Sequence, residues 1–288
     1  TQGVSSAASD VYKRQEAERQ ALLSEALAEL RPGQVERRFN LQRQYRHLDA
    51  GGWRFIGDCL PGHEPTPCWK PNNPRLSGGF GEAKAKRIKY ETARKRRPGL
   101  FLPQVPLEHW QAIANAAGLA MPADTSIGFW AWALAAPELP LVVVEGAKKA
   151  CALISHGIAA VGISGVWNGR IVSRNDAGAR TGERLIDELQ ALAPGRAICF
   201  CFDADAKPST AATVELAAVK TGHLLAKAGA TVTIAKLPLI NGQKCGPDDL
   251  LVAKGAGALL AALEAGLGLS ERAWQRRYCQ ERQLQPAL

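Results

Sequence analysis

The chain has 288 residues, 46% of them hydrophobic and 22% charged. That balance suits a globular protein with material for one large domain or two ordinary ones, and it excludes a chain that is disordered throughout. Its longest apolar runs fall far short of the 18 or so residues that cross a bilayer. Thirty-six basic against 27 acidic side chains leave a net charge of +9, which favours a polyanionic partner. The seven cysteines, an odd number at irregular positions, argue against a disulfide framework and for a reducing cytoplasm.

Taken from the amino terminus, residues 1–34 read as a lead-in. The string Ser5 to Gln15 looks like a translated sequencing-adapter fragment, so the natural start is expected near Glu16 or outside this sequence altogether; it also lacks the apolar core of a secretory signal. An Ala, Leu and Glu-rich helix is expected over 16–30, stopped by Pro32-Gly33. Residues 35–136 read as a small basic α+β region with short strands at Trp53–Ile56, Arg87–Glu91 and Leu100–Leu102, then a helix opened by Pro106 and closed by Gly118. This region holds a cluster of Lys84, Lys86, Arg87, Lys89, Arg94, Lys95, Arg96 and Arg97, interrupted by Glu91. Of these, Lys86, Arg87, Lys89, Arg96 and Arg97 are taken as candidate nucleic-acid contacts, against the plainer reading of a solvated loop.

From 137 to 266 the pattern changes. Apolar runs at Leu139–Val144, Ile158–Ile163, Ala197–Phe202 and Thr231–Leu237 alternate with helical patterns after Gly146, at Thr181–Leu192 and at Ser209–Ala228. Runs apolar on both faces, separated by crossover helices, predict a doubly wound α/β domain on a mainly parallel four-stranded sheet. Residues 267–288 read as a helical tail.

In such a sheet ligands gather where the strands' carboxyl ends meet. Glu145 follows the first strand directly, and Asp203-Ala204-Asp205 follows the third. Carboxylates brought together repel, and a divalent cation relieves the repulsion; Mg²⁺, with Mn²⁺ as substitute, suits an all-oxygen set. The competing reading is that Asp205 or Asp203 caps the next helix while Glu145 favours a helix dipole. Asp248 and Asp249, after Gly246-Pro247, read first as helix-start acids.

The segments Val144-Glu145-Gly146-Ala147-Lys148-Lys149-Ala150, Gly165-Val166-Trp167-Asn168-Gly169 and Phe202-Asp203-Ala204-Asp205 together resemble the Toprim superfamily of primases, topoisomerases and nucleases. They are more closely similar to an uncharacterised Toprim-like family of plasmid, phage and cyanobacterial proteins associated with replication primases or helicases. Lys70-Pro71-Asn72-Asn73-Pro74-Arg75, Ile88-Lys89-Tyr90-Glu91 and the stretch from Pro106 to Trp110 extend the resemblance over about residues 50–260. It implies a Mg²⁺ site in which Glu145 is the general acid or base and also a ligand, Asp203 and Asp205 hold the metal, and Asp248 has a secondary metal role. Where primase-like members continue Ala-Gly after the acidic pair, this chain has Ala206-Lys207-Pro208.

Lys148 and Lys149 open a helix at the same edge, against its dipole, which suggests phosphate contact; Arg170 and Lys207 are further phosphate candidates, and Trp167 a base-stacking one. A Walker-type phosphate loop is absent from the sequence, so a helicase motor is expected in a partner. The combined reading is a replication-associated, Toprim-like protein of a phage, plasmid or other mobile element. It binds DNA or RNA and carries out Mg²⁺-dependent nucleotidyl transfer, primase-like, or phosphodiester cleavage. The alternative is a non-catalytic module that binds nucleic acid or docks a helicase.

Overall fold

The computed structural model describes residues 11–14, 43, 45–77, 87–92 and 99–271. The expected helix over 16–30, most of the tail after 267, and Lys84, Lys86, Arg94, Lys95, Arg96 and Arg97 lie outside the described residues. Two compact units emerge, one of residues 9–57 and 66–98, the other of 58–65 and 99 onward.

The smaller unit is built on an antiparallel sheet of β1 (Val11–Arg14), β2 (Gly52–Phe55) and β3 (Cys68–Pro71). Its centre holds Trp69, Tyr45, Leu48 and Phe55, all nearly inaccessible. Glu91, the one acid within the basic cluster, is buried there. It accepts hydrogen bonds from Arg75 Nε and Nη2 at 2.7 and 3.1 Å, and His47 Nε2 stands 3.2 Å away. Arg87 and Lys89 are exposed. The strand expected over Arg87–Glu91 is reduced to single bridges at its two ends.

The larger unit begins with two helices, α1 (Leu107–Ala117) and α2 (Phe129–Ala135). Pro106 precedes α1 and Gly118, in the left-handed region, closes it. Then follow β4 (Leu141–Glu145), α3 (Ala147–Ile154) and β5 (Ala160–Ile163). A hairpin of β6 (Arg170–Arg174) and β7 (Arg180–Leu185) leads into α4 (Asp187–Leu192). The chain continues through β8 (Ala197–Phe200), α5 (Pro208–Lys227), β9 (Thr231–Ile234), α6 (Pro247–Glu264) and β10 (Leu267–Gly268). Among the described residues no helix is long and apolar enough to cross a membrane.

The protein is thus α/β with a mainly parallel sheet, in the order β10-β9-β8-β4-β5. The four expected strands are parallel, and β10 adds a two-residue antiparallel fifth at one edge. At the other edge Phe101 pairs with Gly162 through two backbone hydrogen bonds of 2.8 and 2.9 Å, so Leu100–Leu102 covers β5. Alternation along the strands separates two cores. Val143, Val161, Phe200 and Val232 face a layer that includes α1, α2, α4 and α5. Val142, Val144 and Ala160 face α3 and α6. Burial on both faces is why these strands are continuously apolar.

Two expectations change. Thr181–Leu185 is a strand, not the start of a helix; Thr181 and Gly182 are poor helix formers, the turn Asn175 to Gly178 folds this stretch back on β6, and helical spacing begins only at Leu185 and Ile186. The boundary expected at 136 falls inside the larger unit, because Trp110, Phe129, Trp130 and Trp132 pack into its main core with ring centroids 4.9 to 5.8 Å apart. Sequence alone assigned these aromatics to the basic region because their partners are distant in the chain.

Arg196, 1% exposed, ties this core together. Its guanidinium donates to the carbonyls of Leu192 (2.8 Å), Ala136 (3.0 Å), Leu139 (2.6 Å) and Ala133 (2.5 Å). Three of these close the carboxyl ends of α2 and α4, where carbonyls lack helical partners and the dipole is negative. Burial draws its pKa down to about 10, with the charge of Glu138 opposing; it stays charged at neutral pH. Arg196→Met strands these carbonyls and is expected to lower the unfolding free energy by about 3 kcal/mol in urea titration, with Arg196→Lys losing less. Equal stability of Arg196→Met and the parent would show that the fork does not hold the core.

Candidate functional site at the carboxyl edge of the sheet

From β4 the chain crosses through α3 to β5 on one side, and β8 returns to the other side of β4. The strand order therefore reverses between β4 and β8, the position at which an open parallel sheet leaves a crevice beyond its strand ends. Glu145 and Asp203 flank that crevice. Val143 pairs with Phe200, and Cys201 N–H donates to the Val143 carbonyl at 2.9 Å. Glu145 lies two residues beyond that pairing on one strand and Asp203 three beyond it on the next, adjacent strands being about 4.8 Å apart. Gly146, at φ 95°, makes the turn from β4 into α3, a conformation that side chains resist.

Asp203 is the centre of the site. Its side chain is 8% exposed, and an ammonium group faces each carboxylate oxygen: Lys149 Nζ is 3.3 Å from Oδ1 and Lys244 Nζ 3.0 Å from Oδ2. Lys149 comes from the first turn of α3. Lys244 arrives because Ala204 and Cys245 exchange two backbone hydrogen bonds of 2.9 and 3.1 Å, which bind the loop after β8 to the loop before α6. Burial alone would lower the Lys244 pKa; the hydrogen bond and charge of Asp203, joined by the charges of Glu145 and Asp205, outweigh it and raise the value. All three acids therefore act on one ammonium group.

Asp248 completes the inner face. The helix-start role falls to Asp249, whose Oδ2 accepts from Gly246 N–H at 2.8 Å, and this leaves Asp248 turned inward. A Cβ on Gly246 would lie 2.6 Å from Asp248 Oδ1, 2.7 Å from Lys149 Cε and 2.9 Å from Asp203 Oδ1. The two carboxylate oxygens thus stand within about 5.5 Å of each other around a backbone that has room for no side chain. Each is buried and accepts no hydrogen bond. Burial raises the Asp248 pKa first of all; Lys149 opposes this, while Asp249 and Asp203 add to it.

Among the described residues no three His, Cys, Asp or Glu side chains are grouped closely enough to hold a metal ion. A pair does fit. Mg²⁺ commonly takes one or two carboxylates and completes its octahedron with water and phosphate oxygens, and Asp203 with Asp248 offers two neighbouring buried oxygens, the first facing Lys149 and the second accepting no hydrogen bond. Asp205 instead accepts from Lys207 N–H at 2.8 Å in a turn just ahead of α5, while the helix itself starts at Lys207 without a side-chain cap. Burial above all pushes the Cys201 and Cys245 thiols up, so they remain neutral and supply no thiolate ligand.

The cations divide differently from the expectation. Lys148 and Lys207 are exposed at this edge. Arg170 is corrected: its side chain is 8% exposed, pairs with Glu183, and lies 4.6 Å from the centre of the Trp167 ring. The Arg170 charge is thus met by Glu183, which Arg180 also contacts, and by the face of the partly buried Trp167. Lys244 was missed. The signal for it was available, since the loop after the fourth strand must open on the same edge as the acids.

Comparison with known proteins matches the part of the chain that carries this sheet edge. Residues 129–258 match the profile of a family described as a domain of unknown function, DUF3854. An uncharacterized protein of Picosynechococcus sp. strain PCC 7002 is 40% identical over 222 residues, 75% of this chain. The chain spans about a fifth, 21%, of that relative's length. Among solved structures, the zinc-binding and RNA polymerase domains of Aquifex aeolicus primase align at a TM-score of 0.47 and 15% identity, covering 94% of this chain and 54% of that one. The DnaG catalytic core aligns at 0.44 and 19%, covering 92% and 77%. The RNA polymerase domain of Mycobacterium tuberculosis DnaG aligns at 0.42 and 15%, covering 91% and 81%.

A buried carboxylate with a raised pKa costs stability once ionised, and the cost disappears as pH falls below its value in the unfolded chain. Asp248→Asn is therefore expected to melt higher than the parent at pH 7 without added metal, the gap closing as the pH falls through the carboxylate range. A lower melting temperature for Asp248→Asn at pH 7 would mean that the carboxylate is held by contacts it does not have in this structure.

Proposed function

We propose that this sheet edge is a divalent-cation-dependent phosphoryl-transfer site acting on nucleic acid, with primase-like nucleotidyl transfer as the leading reaction and phosphodiester cleavage as its hydrolytic counterpart. The observation that carries the reading is the meeting of two carboxylates, with a buried oxygen on each, and two lysines at the point where strand order reverses. Acids alone would suit a cation and lysines alone an anion; the mixture suits a cation together with phosphate. The sequence resemblance to Toprim proteins points the same way.

In this mechanism Asp203 and Asp248 would hold Mg²⁺ or Mn²⁺, which when bound offsets charge on the phosphate oxygens. Glu145, half-buried at the tip of β4, takes the proton from the attacking hydroxyl or water, or returns one to the leaving oxygen. Asp205 fixes the start of α5 and so the position of the loop that carries Asp203. Lys149 and Lys244 bind phosphate oxygens. Lys148 and Lys207, exposed at the same edge, and Arg87 and Lys89 on the smaller unit are proposed to guide the polynucleotide by charge, a contribution that weakens with salt. The partners in this reading are DNA or RNA and a helicase or other replication protein.

The second reading, a nucleic-acid-binding or helicase-docking module without turnover, is favoured by one observation: no three acids close on a single point among the described residues. Purified protein incubated with single-stranded DNA, nucleoside triphosphates and Mg²⁺ separates the two. Glu145→Gln is expected to slow product formation about a hundredfold, as loss of a general acid or base does, and Asp203→Asn to abolish the metal-supported product formation. Full activity in both variants would remove the site from the mechanism. Salt-dependent DNA binding with no product under any metal condition would leave the binding module.

A further inference from the structure

Asp203 is not waiting bare for a cation. Both of its oxygens are faced by ammonium groups, and those groups differ in how freely they can leave. Lys244, from a loop, is 56% exposed at its side chain, whereas Lys149, on the first turn of α3, is 20% exposed. A divalent ion entering between Asp203 and Asp248 has to displace at least one of them, and the displaced charge is then repelled by the ion that replaced it. Lys244 can swing into water. Lys149, mostly buried beside Gly246, has less water to move into, and it needs an anion beside the new cation.

We infer that Lys149 and Lys244 are resident counter-ions that occupy Asp203 until a phosphate group draws them off, so that the site admits a divalent cation and a phosphate together in preference to the bare cation. The inference rests on the proposed phosphoryl-transfer reading and adds to it an order of events: the same two lysines oppose the metal before phosphate arrives and hold the phosphate afterwards. Coupling of this kind is reciprocal, so phosphate raises metal affinity by the factor by which metal raises phosphate affinity. It also keeps a buried, doubly acidic crevice neutralised when no ligand is present, avoiding the penalty of an uncompensated buried charge. The phosphate could belong to a free nucleoside triphosphate or to a polynucleotide strand, which share the chemistry that the lysines read.

The test measures binding of Mn²⁺ alone, by its electron paramagnetic resonance signal, to the full chain as the parent, Lys244→Gln, Lys244→Arg, Lys149→Gln and Asp203→Asn. Removing a partly exposed ion pair that competes with the metal is expected to tighten Mn²⁺ binding about fivefold in Lys244→Gln. The less exposed Lys149→Gln should tighten it at least as much, and Lys244→Arg should stay near the parent. Lys244→Gln keeps the experiment readable if Lys149→Gln folds poorly, because its side chain is mostly in solvent. In the second arm, labelled single-stranded oligonucleotide and a non-hydrolysable nucleoside triphosphate are each titrated with and without Mn²⁺. The ligand whose affinity rises with Mn²⁺ in the parent, and rises less in Lys244→Gln, is the source of the phosphate. Mn²⁺ binding that depends on Asp203 but is unchanged or weaker in both lysine variants overturns the counter-ion role and leaves the metal site standing. Mn²⁺ binding that is absent from every protein, or indifferent to Asp203→Asn, overturns the metal site and the inference with it. Failure of both phosphate ligands to respond to Mn²⁺ overturns the coupling.

Discussion

A carboxylate withdrawn from water must be met by positive charge or by hydrogen-bond donors, and Asp203 is the position where that demand organises the larger unit. It follows β8 directly, at the break in strand order, with 8% of its side chain exposed. The features around it answer the demand. Lys149 sits in the first turn of α3, where a cation is disfavoured by the helix dipole by some tenths of a kcal/mol, because the ion pair outweighs that cost. Gly246 stands where any Cβ would meet Asp203, Asp248 and Lys149 at once. The bridge between Ala204 and Cys245 delivers Lys244. An edge with these properties is poised between carrying its own counter-ions and accepting others.

The same rule is satisfied elsewhere without any opening to a ligand, and the contrast helps to separate structural charge from functional charge. Arg196 is enclosed by four carbonyl oxygens. Glu91 is held by Arg75 in a two-point contact beside His47. Arg170 lies between Glu183 and the Trp167 ring. In each case the charge itself is met by an opposite charge, by carbonyl oxygens or by a ring face. At the sheet edge two acids share the cations: Lys149 and Lys244 face Asp203, while Asp248 Oδ1 is buried and accepts no hydrogen bond. Acids withdrawn from water beside one another repel, and that sets this edge apart as a place for a further cation.

Much of the framework was legible from residue order. Strands covered on both faces must be apolar along their length, so Leu139–Val144 and Ala197–Phe202 announced parallel strands, and an acid at the end of each announced which edge they share. The hairpin was not legible, because Leu185, Ile186, Leu189 and Leu192 carry helical spacing that pulled Thr181 to Leu185 into the helix. Nor was the division of labour between Asp248 and Asp249, which are chemically identical neighbours. Only the geometry of the α6 start gives Gly246 N–H to Asp249 and leaves Asp248 pointing inward.

What residue order determined by itself was the alternation of strand and helix, the position of Glu145, Asp203 and Asp205 after strands at the carboxyl edge, and the surplus of positive charge, because periodicity, strand-tip position and composition are local or additive properties. What only the tertiary structure decided was which charges meet. Lys244 reaches Asp203 across 41 positions of chain, Arg196 collects carbonyls from 133, 136 and 139, and Arg170 pairs with Glu183. Pairing between groups distant along the chain depends on three-dimensional distance, and that distance exists only once the two cores have closed on the sheet.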